Sequence, residues 1–307
     1  TLYGVLSMFS SQKWTNKAIL NDSKIRDLIE HLSKRKLGNK DYPADLMGDA
    51  YEILLKKFAD DSKAQAGEFY TPRSVVRLLV HILDPQPGET VYDPACGSGG
   101  MLIEAIRYMH DDSLCCGSIF GQEKNVVNAA IAKMNLFLHG ASDFNVMQGD
   151  TLRDPKILQG GNIAKFDCVI ANPPFSLENW GATEWSSDKY KRNIYGTPSD
   201  SCGDYAWIQH MICSMSSGKG RMAVVMPQGI LFRGNQEAEI RKQLVESDLI
   251  EAVVTLGDKL FYGTGLSPCF LIIRRMKQAH HSGRILMIDG SKILTQKRAQ
   301  NILEEND

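Results

Sequence analysis

The chain has 307 residues, 43% of them hydrophobic, with 35 Lys and Arg against 36 Asp and Glu, a formal net charge of −1. That length suits one large α/β domain or a domain with a smaller attachment, and a near-neutral charge argues against gripping a nucleic-acid duplex unaided. There is no long uninterrupted apolar run and no basic-then-apolar leader with a cleavage site, so neither membrane insertion nor secretion is expected. The seven cysteines, Cys96, Cys115, Cys116, Cys168, Cys202, Cys213 and Cys269, are odd in number and form no CxxC pair. The expectation is reduced thiols, no metal site and a cytoplasmic location.

Thr1 is not an initiator methionine, which reads as a processed or truncated chain. From Thr15 to Asp60 apolar residues recur at helical spacing, at Ile25, Leu28, Ile29 and Leu32 and again at Leu46, Ala50, Ile53 and Leu54. The pattern predicts a helical segment over residues 1–66 ahead of a main domain over 67–307. Thr71-Pro72 predicts a helix start, with threonine as N-cap and proline at the first helical position, and Val75 to Leu83 as the apolar body. Asp84 to Gly88 ends it.

The chain then alternates short apolar strands with amphipathic helices, the pattern of a doubly wound, mostly parallel sheet of seven strands. The strands are expected at Thr90 to Tyr92, Ser118 to Gln122, Asn145 to Gln148, Phe166 to Ala171, Arg221 to Met226, Ile250 to Leu256 and Pro268 to Ile273. Helices are expected at Met101 to Met109, Asn125 to Leu138, Tyr205 to Met215 and Gln236 to Glu246. The one long loop, Ser176 to Gly203, carries Trp180, Trp185, Tyr190, Lys191, Arg192 and Tyr195. A loop of that length inside a compact domain is functional or disordered; we expect it to be mobile on its own and to close over a substrate.

Two loops carry the chemistry. Asp93, Pro94 and Ala95 end the first strand, and Gly97, Ser98, Gly99 and Gly100 form a tight turn into a helix, where missing Cβ atoms let a ligand approach the backbone. On its own such a loop could be a packing turn, and it would also suit NAD, although it departs from GxGxxG. Glu123 ends the second strand, where a carboxylate takes ribose hydroxyls, and Asp150 ends the third, where one could accept from an adenine amino group. Three strand-end acids point to a shared adenosine site along the carboxyl edge of the sheet.

The fourth strand ends in Asn172-Pro173-Pro174-Phe175. In a sheet ordered 3-2-1-4-5 this loop shares a crevice with the glycine loop. The prolines lack N–H donors and fix their own φ, so their carbonyls stay displayed. The Asn172 side-chain oxygen and the Pro173 carbonyl can each accept one hydrogen of an NH2 group, which aims the nitrogen lone pair at a methyl donor and offsets developing positive charge. Phe175 offers a face on which a base could stack.

In order, FYTP (Phe69 to Pro72), DPACGSGG (Asp93 to Gly100), GQE (Gly121 to Glu123), GD (Gly149, Asp150) and NPPF (Asn172 to Phe175) resemble the N6-adenine DNA methyltransferases, and more narrowly the modification subunit of type I restriction-modification systems. The similarity runs from about Asp45 to Ile273. It implies a Rossmann-like fold that binds S-adenosylmethionine, with Glu68, Phe69, Tyr70, Thr71, Pro72 and Arg73 at the methionine end, Ser98 to Gly100 wrapping the cofactor and Glu123 on the ribose. It also implies DNA as substrate, with adenine flipped out of the duplex, and separate specificity and restriction subunits as partners. After Ile273 only a strand-like GRILMIDG and a charged tail remain, too little for a recognition domain. The short helical region before FYTP and the short tail depart from the family and read as marks of a fragment. Loops of the NPP type also serve methyltransferases of protein glutamine and RNA guanine, the alternative reading; a nucleotide-binding scaffold without catalysis is the rival from another class.

Overall fold

The structure, a computed structural model, describes residues 21–34, 71–109, 117–261, 267–295, 301 and 303. Helix α1 (Asp22–Ser33) starts at Asn21, whose side chain accepts the Lys24 N–H at 2.9 Å. The helix expected around Leu46 to Leu54 lies outside the described residues. Helix α2 (Arg73–Leu83) begins one residue later than Thr71-Pro72 suggests: Pro72 itself is the N-cap, and the Thr71 hydroxyl is engaged elsewhere. Asp84 closes the helix in the left-handed conformation, its N–H on the Val80 carbonyl.

The chain continues through β1 (Val91–Asp93), α3 (Gly100–Met109), β2 (Ile119–Glu123), α4 (Val126–Leu138) and β3 (Phe144–Gln148). Next come a small hairpin, β4 (Leu158–Gln159) and β5 (Asn162–Ile163), then β6 (Cys168–Ala171), α5 (Ala182–Ser186) and α6 (Asp204–Ser214). The rest is β7 (Arg221–Pro227), α7 (Asn235–Glu246), β8 (Ile250–Leu256), β9 (Pro268–Arg274) and β10 (Leu286–Gly290). The hairpin escapes the helix-strand alternation, although Gly160 and Gly161, both at positive φ, are the turn signal for it.

The main sheet has the order β10-β8-β9-β7-β6-β1-β2-β3. The expected 3-2-1-4-5 core is there as β3-β2-β1-β6-β7, all parallel. The count of seven strands is corrected to eight among the described residues, because GRILMIDG pairs in parallel with β8 as an edge strand. The sheet is mixed: β9 runs antiparallel to both β7 and β8 and lies between them.

Alternation along each strand splits the interior into two layers. On β7, Ala223 and Val225 face a core with α2 and α3 residues such as Leu79, Leu102 and Ile106, whereas Met222, Val224 and Met226 face one with Ile208, Met211 and Ile212 of α6 and Ile240 of α7. All seven residues of β7 are buried, as a central strand covered by helices on both faces must be. The first and fourth predicted strands, now β1 and β6, are neighbours, so their following loops open on one crevice at the carboxyl edge.

Candidate active site

After β1 the backbone turns through Gly97 (φ +52°) and Gly99 (φ +85°), both left-handed. A Cβ at Gly99 would meet Ala132 of α4 at 3.4 Å, so this glycine lets the loop sit against the helix. A Cβ at Gly97 or Gly100 would enter open space, so the backbone there forms an open rim. The rim is held from behind: Asn135 donates to the Ser98 carbonyl at 2.9 Å, the Cys96 N–H reaches the Gln122 carbonyl, and the Thr151 hydroxyl donates to the Pro94 carbonyl at 2.6 Å.

Asp93 and Glu123 end adjacent parallel strands, and Asp150 lies two residues past the end of the next, at the same edge. Glu123 accepts the Gly97 N–H at 3.0 Å and the Asn125 N–H at 2.7 Å. Asp93 is buried and accepts the Ala95 N–H at 2.9 Å. Burial pushes its carboxyl up to about 8, the Ala95 N–H opposes that, and the charge of Glu123 adds to it. The same burial drives the Cys96 thiol well above its ordinary range, with Asp93 and Glu123 adding to it. Asp150 accepts the Leu152 and Arg153 N–H groups through one oxygen and pairs with the Lys124 ammonium at 2.9 Å through the other.

Asn172 leaves β6 into the same crevice. Its Nδ2 donates to the Thr71 hydroxyl at 2.8 Å, which fastens the threonine of FYTP to the asparagine of NPPF, 101 residues apart in the chain. Its Oδ1 is buried and has no hydrogen-bond partner among the described residues. An acceptor left bare in that way costs about 1–3 kcal/mol, which a bound donor would recover. Pro173 is buried and Pro174 half-buried, and Phe175 packs edge-to-face on Phe261 with ring centres 6.3 Å apart. Of the other expected site residues, Pro72 caps α2 and Arg73 opens it, while Glu68, Phe69 and Tyr70 lie outside the described residues.

Reading the sequence missed three supports. Phe261 follows β8 and was not distinguishable from core phenylalanines. Asp204, fully buried at the start of α6, accepts the N–H of Ser176, the left-handed residue (φ 49°) that turns the chain after Phe175. Arg233 bridges Asp204 and Glu237, holding that carboxylate in place. An acid-arginine pair 29 residues apart leaves no local signal.

The loop Ser176 to Gly203, expected to be mobile on its own, is packed through part of its length. Trp180 and Trp185 are buried edge-to-face with ring centres 5.5 Å apart, Trp180 donates to the Ser199 carbonyl, and Arg192 is 1% exposed. Trp180 and Trp185 belong to the core layer on one face of the sheet, whereas Tyr190 and Tyr195 stay half-buried.

Among the described residues no cluster of His, Cys, Asp or Glu is arranged to hold a metal, and no helix is long and apolar enough to cross a membrane. Residues 42–307 match the family described as N-6 DNA Methylase. The type I restriction enzyme MjaVII methylase subunit of Methanocaldococcus jannaschii is 38% identical over 275 residues, covering 87% of this chain and 46% of its own. The solved type I restriction-modification methyltransferase subunit from Streptococcus thermophilus superimposes with a TM-score of 0.83 at 31% identity, over 93% of this chain and 60% of that one. A putative class I S-adenosylmethionine-dependent methyltransferase from Listeria monocytogenes shares the fold at 15% identity, with a TM-score of 0.67 over 94% of this chain and 83% of its own. The chain thus spans about half the length of the curated relatives it matches.

Proposed function

Since the chain belongs to the N-6 DNA methylase family, we propose that it transfers the methyl group of S-adenosylmethionine to the N6 amino group of adenine in DNA, as the catalytic part of a type I modification subunit. The observation that carries this reading is the buried, unpartnered Oδ1 of Asn172 beside the glycine loop. With Nδ2 held by Thr71, the oxygen is the atom presented to a substrate, and its vacancy matches a hydrogen of an exocyclic amine.

The open rim at Gly97 and Gly100 fits an adenosyl cofactor, since Cβ atoms there would fill it. Asp93, Pro94, Ala95, Gly97, Ser98, Gly99, Gly100, Glu123 and Asp150 would hold it on the sheet side, with Glu68 to Arg73 at its methionine end. When bound, S-adenosylmethionine supplies an activated methyl group. The protein's task is then positional. Asn172 Oδ1 and the Pro173 carbonyl accept the two amine hydrogens, draw the nitrogen out of conjugation with the ring and offset its growing positive charge. No strong base is required. Phe175, braced edge-to-face by the buried Phe261, offers a face against which a flipped adenine can lie.

The near-neutral charge and the family resemblance support two further assignments: a specificity subunit chooses the DNA site and a restriction subunit completes the assembly; the helical spacing of apolar residues supports a separate segment over 1–66. Asn172→Ala tests the reading. It should bind cofactor by calorimetry as the wild type does, while label transfer to DNA, measured with a specificity subunit present and resolved as nucleosides, falls to background. Undiminished N6-methyladenine would reject it, and label on protein or RNA instead of DNA would move the substrate to glutamine or guanine.

A further inference from the structure

Arg192 sits in the long loop that follows the NPPF motif and is buried. Nη1 donates to the Thr151 carbonyl at 2.9 Å and Nη2 to the Leu152 carbonyl at 2.7 Å, the two residues that follow Asp150. Nε and Nη2 make a two-pronged bond to Asp188 at 2.9 and 2.8 Å. Nη1 also faces His210 Nδ1 at 3.2 Å, and the plane lies over the Trp185 ring at 4.5 Å.

The connections extend from there into the cofactor rim. Thr151, whose carbonyl Arg192 holds, donates its hydroxyl to Pro94. His210 takes the Arg192 hydrogen on Nδ1, so its Nε2 carries the proton and donates to Tyr92 at 3.2 Å, next to Asp93. Arg153 ties the same turn to the loop a second time through the Asn179 and Trp180 carbonyls. A loop needing only burial could use an apolar side chain here. A planar cation with its donors spread over two foreign carbonyls, a carboxylate and an imidazole instead fixes where those carbonyls lie.

We propose that Arg192 is a positioning residue for the adenosine end of the cofactor site: it sets the Asp150–Leu152 turn and thereby couples cofactor binding to the loop that follows the NPPF motif. This rests on the methyltransferase reading above. Arg192→Lys keeps the charge but cannot reach both carbonyls and Asp188 together. It should raise the dissociation constant for S-adenosylmethionine about tenfold or more, the scale of a lost charge-assisted hydrogen bond. Methyl transfer at saturating cofactor should stay within about threefold of wild type, the split expected when binding and not chemistry is touched.

An unchanged dissociation constant with a lowered melting temperature makes Arg192 a structural residue and overturns the proposal. So does a loss confined to the rate at saturating cofactor. If the lysine variant does not fold, amide exchange on the wild type decides: cofactor should slow exchange across Asp188 to Arg192, and an unaltered segment overturns the coupling. Wild type that binds cofactor without methylating DNA would fail the proposed function and spare this inference. Wild type that binds no cofactor sinks both.

Discussion

Glu123 holds the glycine loop before it holds anything else, since one oxygen takes the Gly97 N–H. Glu123→Ala should weaken S-adenosylmethionine binding by about 1.5–3 kcal/mol, the scale of a hydrogen bond to a charged group, with an unaltered isotherm in calorimetry rejecting the assignment. Asp93 makes a different demand. Its carboxyl is held up at about 8 in the fold against an ordinary 3.8, mainly by burial. A raised carboxyl binds its proton more tightly folded than unfolded, so it contributes stability below about pH 4 that drains away as pH rises toward 8. Cofactor-free Asp93→Asn should therefore show a flatter melting temperature between pH 5 and pH 8 than the wild type, and parallel pH profiles would assign the slope to other groups.

The alternation of strands and crossover helices was legible in the sequence, most plainly at β6 and β7, which are buried on both faces and read as continuous apolar runs. So was the meeting of the glycine and NPPF loops, which follows from β1 lying beside β6. What escaped were contacts between residues distant in the chain. Thr71 reads as a helix cap by every local rule, yet its hydroxyl serves Asn172. Trp180, Trp185 and Arg192 look like a substrate surface in sequence and turn out to be a packed interior, since composition does not say which way a side chain points. The turn after Phe175 illustrates the cost. Asp204→Ala leaves the Ser176 N–H and the Arg233 cation without their shared partner, and should destabilise the domain by about 3 kcal/mol or more, the scale of breaking a buried ion pair. Chemical denaturation checks it; a change under about 0.5 kcal/mol, ordinary for surface positions, would mean the strut is idle.

Across the whole molecule, the amino edge of the sheet is pinned as firmly as the carboxyl edge is left open. Arg221 reaches Glu89 with two nitrogens, at 3.2 and 2.7 Å, and also donates to the Leu83 carbonyl. Burial alone would push the Glu89 carboxyl up, but the Arg221 hydrogen bond, the Gln86 N–H and the Arg221 charge outweigh it and hold it at about 2. A depressed carboxylate stabilises above about pH 4.5 and loses that contribution as pH falls toward 2. Glu89→Gln should cost about 3–5 kcal/mol at pH 7 in urea denaturation and much less at pH 3, following the buried-pair scale. The overall charge of −1 sets a second expectation: alone, the chain should bind duplex DNA only in the nonspecific range, about 10⁻⁴ to 10⁻⁶ M. Fluorescence anisotropy showing nanomolar, sequence-selective binding would remove the need for a specificity partner.

Strand β9 also sets an order of events in time. It lies between β7 and β8 but follows both in the chain. As the polypeptide emerges, β8 therefore has no partner in the growing sheet until β9 arrives, and β7 presents an open edge to solvent. The β1, β2, β3 and β6 segment, with both loops of the site, can pair before that slot is filled. Closure of the sheet then depends on a late, sequence-distant insertion of a largely apolar strand, the step at which a nascent chain is most exposed to mispairing with its neighbours.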